Sequence, residues 1–67
     1  MDKVYVVMMN CWEDNILLGV FSTREKAEIY IKEEYELYKY DKKYDMWCKD
    51  NCPNSIDITE VTVDSYG

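Results

Sequence analysis

The sequence contains no histidine, only one proline and two glycines, and no apolar run approaching the roughly 18 residues that a membrane-spanning helix needs. The missing histidine removes the commonest general acid and base and the commonest borderline metal ligand. Metal binding would then rest on Cys11, Cys48 and Cys52, with Asp45 or Asp50 completing an unusual set, and no metal or other cofactor is expected. GxxxxGK[ST], GxGxxG and HExxH are all missing, as are internal repeats and low-complexity tracts. Cys48 beside Lys49 is only a weak candidate for an activated thiol, and Glu33-Glu34 and Glu13-Asp14 are adjacent, so their side chains tend to diverge. No catalytic residue is assigned, and the chain is not expected to be an enzyme.

Three cysteines cannot all pair with one another. Met1-Asp2-Lys3 leads into a strand-like run rather than a signal-peptide pattern. A Cys48–Cys52 bridge is conceivable, but reduced thiols in a cytoplasm are the simpler expectation. A net charge of −6 is the wrong sign for a basic nucleic-acid groove or a basic membrane-surface helix, so neither direct nucleic-acid binding nor membrane association is expected. The acidic excess sits in the two ends of the chain, because the middle third balances its acids and bases.

What is present is a foldable core. Apolar residues make up 48% of the 67 residues, with seven Tyr and two Trp, far too rich for a disordered acidic tail. The length suits one domain, 1–67. So small a core contributes only about 3–5 kcal/mol net, and a second subunit is the most credible added support.

Val4 to Cys11 (VYVVMMNC) reads as a strand, Asn10 to Asn15 as a turn, and Ile16 to Phe21 (ILLGVF) as the returning strand of an antiparallel hairpin. Ser22 as N-cap with Glu25 three residues on forms a capping box. Behind it Ala27, Ile31, Tyr35 and Tyr38 recur at helical spacing, and Arg24–Glu28, Glu28–Lys32 and Lys32–Glu36 are candidate pairs on a solvated outer face. The spacing fades between Lys39 and Lys43, where the helix is expected to end. Tyr44 to Cys48 reads as a short strand or an extended approach to the turn Asn51-Cys52-Pro53-Asn54. Ile56 to Val63 is the last strand, and its apolar parity slips between Ile58 and Val61. A bulge near Thr59-Glu60 or a change of neighbours midway would account for the slip. The expected fold is therefore α+β: a small antiparallel sheet of three or four strands with one helix on one face, in the order β-β-α-(β)-β.

The informative feature is that the first strand is apolar at both parities, Val4, Val6 and Met8 against Tyr5, Val7 and Met9. Ile16, Leu18 and Val20 oppose Leu17 and Phe21 in the second. One helix covers one face, so the other needs a flap from residues 40–55, a second copy, or a different partner. The residues singled out for protein contact are Tyr5, Val7, Met9, Trp12, Leu17 and Trp47, with a homodimer or a different protein as the expected partner. Trp12, a large aromatic in a polar turn, either tucks back or awaits a partner.

The string from Gly19 to Glu28 (GVFSTREKAE), with Lys3 to Val7 (KVYVV) and Ile58 to Asp64 (ITEVTVD), resembles a group of very small phage- and prophage-encoded proteins of unknown function. The resemblance spans the chain apart from residues 40–55. It implies no catalytic residues. It implies a phage origin, hence action in a host cytoplasm, where such accessory proteins bind and disable host proteins, antiviral defences among them. An acidic nucleic-acid mimic and a protein that sequesters a small ligand, with Tyr and Trp as stacking platforms, are the alternatives.

Overall fold

The computed structural model describes residues 2–63. Two strands, β1 (Asp2–Asn10) and β2 (Asn15–Phe21), precede the helix α1 (Arg24–Glu34); β3 (Lys39–Asp41), β4 (Met46–Cys48) and β5 (Ser55–Val63) follow it. They form one five-stranded antiparallel sheet in the order β2-β1-β5-β4-β3. This corrects the expected three or four strands: residues 40–55 extend the sheet by a hairpin instead of forming a flap over its second face. Asp45, at φ 52°, takes the left-handed conformation of the β3–β4 turn, and the Asp41 carboxylate accepts from the Lys43 N–H at 2.9 Å. Tyr40 then lies opposite Trp47, and Trp47 opposite Ile56, so the hairpin is zipped to β5 by large side chains.

The helix begins one residue later than the capping-box reading. Thr23 is the N-cap, and its hydroxyl oxygen accepts from the Lys26 N–H at 3.2 Å. Thr23→Ala should therefore cost about 1 kcal/mol of unfolding free energy. Ser22→Ala should cost less than about 0.5 kcal/mol, and urea melts of the two variants measure the difference. The helix also ends early. Tyr35 departs from helical geometry (φ −129°, ψ 53°) while its N–H still reaches the Ile31 carbonyl, and the Tyr38 N–H bonds the Tyr35 carbonyl at 2.9 Å, turning the chain into β3. Phe21, Tyr30, Tyr35 and Tyr38 pack in sequence, the first pair tilted and the other two edge to face, at ring separations of 5.1, 6.1 and 5.8 Å, holding that turn against the core. Of the three expected charge pairs on the helix only Arg24–Glu28 forms, and Glu36 already lies beyond the last helical turn.

The core is one cluster: Val7 and Met9 from β1, Ala27 and Ile31 from α1, Trp47 from β4, and Ile56 and Ile58 from β5. Val7 faces Ile58 and Met9 faces Ile56 across an unbroken β1–β5 register, so all four point to the helix side. No bulge interrupts that register at Thr59-Glu60. The irregularity lies in β2, where Leu18 is the extra residue between Gly19, opposite Val7, and Leu17, opposite Met8. The bulge lets Leu18 pack against the core while Leu17 points away. The parity slip in β5 instead coincides with the expected change of neighbours midway along the strand. β4 accompanies β5 only as far as Ile56, and beyond Ile58 the helix-side positions become polar, with Lys3 and Glu60 paired at 3.0 Å. The apolar residues Val61 and Val63 fall on the other face.

Candidate functional site

The helix packs over β1, β2 and β5. Two surfaces are left. One is the whole reverse side of the sheet, and the other is the helix-side surface of the β3–β4 hairpin.

On the reverse side, cross-strand partners share a face, so the register places Val4 with Val61, Val6 with Val20 and Thr59, Met8 with Leu17 and Asp57, and Asp2 with Val63. Leu17 is 59% exposed and Val20 53%, and no other described element crosses this face. It is polar at its margin, where the Asn10 amide donates to Asp57 at 3.0 Å. A surface of contiguous valine, leucine and methionine framed by polar groups has the composition of an interaction site.

The six residues singled out from the sequence fall into separate settings. Val7, Met9 and Trp47 belong to the core, Val7 with no exposed surface at all, so they hold the fold together rather than forming a free surface. Tyr5 shares their side and is half-buried. Leu17 lies on the open face. Trp12 stands out from the tip of the β1–β2 turn, 86% exposed, where the Cys11 N–H bonds the Asp14 carbonyl at 2.8 Å. The open-face residues that sequence reasoning passed over are Val4, Val6, Met8 and Val20, the opposite parity of the same strands. The alternation identified both sets, but nothing local says which one a helix will cover.

On the helix side, a notch of about 690 Å³ lies between α1 and the hairpin, with Tyr40 and Trp47 as its floor and Arg24, Glu28 and Lys32 along its helical wall. The two floor rings are 4.8 Å apart and tilted by 50°. Arg24 closes one end. Its Nε bonds Glu28 at 3.1 Å and its terminal nitrogen bonds Asp45 at 2.7 Å, while the Tyr40 hydroxyl donates to the same Asp45 oxygen at 2.7 Å. These bonds strap the hairpin to the helix. The spacing of Arg24, Glu28 and Lys32 was visible in the sequence as a solvated stripe; that it walls a notch follows only from the hairpin beside it.

Tyr40's hydrogen bond holds the Asp45 carboxyl below the usual carboxylate range, against a smaller opposing effect of desolvation and with help from the Arg24 charge. A depressed folded-state value stabilises the fold above the ordinary aspartate range, near pH 4, and that contribution disappears as pH falls through the folded value. Asp45→Asn, which keeps a residue tolerant of positive φ, should flatten the acid limb of the stability curve relative to the wild-type protein, as measured by denaturant midpoints across pH. Cys52 is likewise lowered, first by the Asn54 backbone and then by the Tyr38 hydroxyl 3.8 Å from its sulfur. All three cysteines are free thiols. Among the described residues no cluster of His, Cys, Asp or Glu is arranged to hold a metal ion, and no helix is long and apolar enough to cross a membrane.

No curated protein and no solved structure matches the chain. A family model does: over residues 2–67 the chain matches, and so belongs to, the family described as Domain of unknown function (DUF7336).

Proposed function

We propose that this protein acts by binding another protein through the open face of its sheet, in the manner of a phage accessory protein that blocks a host component such as an antiviral defence. The observation that carries this reading is the uncovered patch of Val4, Val6, Met8, Leu17, Val20 and Val61. Three strands about 4.8 Å apart and nine residues at about 3.3 Å each make a face of roughly 14 by 30 Å. That is the scale of a small, reversible protein interface, one that a second copy of this chain could also occupy. The resemblance of the sequence to small phage and prophage proteins supports the inhibitory role. A nucleic-acid mimic has less support, because the centre of the face is aliphatic and Asp2 and Asp57 lie towards its ends.

The experiment compares immobilised wild-type protein with Val6→Lys, after circular dichroism has established that both are folded. A host protein retained by the wild type and lost with Val6→Lys supports the reading. Equal retention by both overturns it. Sedimentation of the same pair reports whether a second copy competes for the face.

A further inference from the structure

The notch beside the helix lies on the opposite side of the sheet from the open face, so its use is a separate question. We propose that it receives an arginine side chain presented by another polypeptide. The protein already displays the required chemistry at one end, where the Arg24 guanidinium is held between Glu28 and Asp45 with the Tyr40 hydroxyl on the same carboxylate. Along the notch from that point the same ingredients recur without an internal guanidinium. Tyr40, 48% exposed as a residue, lines the notch beside Trp47, and Glu36 lines it further along with no ion-pair partner among the described residues.

Charge favours a cation. The charged side chains lining the notch balance, Arg24 and Lys32 against Glu28 and Glu36. Asp45, bonded to Arg24 and Tyr40 at its end, tips the balance towards acid, and the whole chain carries −6, so a basic segment is drawn in while a phosphate or carboxylate is disfavoured. Shape favours arginine over lysine. A planar guanidinium stacks on an aromatic floor while its edge donates to a carboxylate, whereas an ammonium is a point charge that stays hydrated. A notch of about 690 Å³ takes such a side chain together with the backbone on either side of it.

The test is a nuclear magnetic resonance titration of the full chain with acetyl-Gly-Arg-Gly-amide, alongside the lysine and glutamate analogues and adenosine monophosphate. Saturable shifts at Lys32, Glu36, Tyr40 and Trp47 are expected with the arginine peptide, weaker ones with lysine, and none with the two anions. Glu36→Gln, at an exposed position outside the helix, should weaken the arginine peptide about tenfold. Lys32→Glu should tighten it severalfold. Val6→Lys should bind the peptide as the wild type does, which separates this site from the open face. Unchanged affinity in both Glu36→Gln and Lys32→Glu, tighter binding of either anion, or no saturable shift at millimolar arginine peptide overturns the proposal.

Discussion

Val7→Lys is expected to abolish cooperative folding, while Val6→Lys, one residue away on the same strand, leaves a folded protein. Val7 has no exposed surface and lies in the same core cluster as Ala27, Ile31 and Ile58. A lysine there either places an ammonium among hydrocarbon with no carboxylate in the cluster to pair with, or forces the helix off the sheet. An unpaired buried charge costs at least about 3–5 kcal/mol, which is the whole stability expected of a domain this small. Val6 points to the open face between Val20 and Thr59, where a lysine stem can lie along its neighbours with its ammonium in water, at a cost of about 1 kcal/mol or less. Far-ultraviolet circular dichroism and a urea melt of each variant decide the matter. A folded Val7→Lys beside an unfolded Val6→Lys would reverse the assignment of faces. If a second copy occupies the open face, the wild-type melting temperature should rise with concentration and that of Val6→Lys should not.

Trp47→Ala should be nearly as damaging, by a different route. Trp47 is 8% exposed, contacts the Tyr40 ring, and sits opposite Ile56, so it is the side chain that couples the β3–β4 hairpin to the core. Removing a buried indole costs about 3–5 kcal/mol through lost burial and the cavity left behind. Trp12→Ala removes the same side chain from a turn where it is 86% exposed, and should shift stability by no more than about 0.5 kcal/mol. Thermal melts of the two variants test the contrast directly. A small effect at Trp47 would mean that the hairpin is an appendage rather than part of the fold. Any loss of partner binding in a folded Trp12→Ala protein would mark the turn tip as part of the interface.

The sequence by itself determined the β1–β2 hairpin, a helix with Ala27 and Ile31 on its buried stripe, the long final strand, and the fact that the first two strands are apolar on both faces. These are local properties: periodicity, turn chemistry and capping act over a few residues and are written in neighbouring positions. Even there the cap lay one residue away, at Thr23 rather than Ser22. The tertiary structure alone decided that residues 40–55 join the sheet. β3 and β4 have three residues each, too short to show a period, and they exist because Tyr40, Trp47 and Ile56 meet across strands distant in the chain. It also decided which parity of β1 is core. Alternation names two faces, but the helix that covers one of them docks through contacts with β1, β2 and β5, and β5 lies more than 20 residues further along the chain. That long-range docking buried Val7 and Met9 and half-buried Tyr5, left Val4, Val6 and Met8 facing outward, and turned a stripe of helix charges into the wall of a notch.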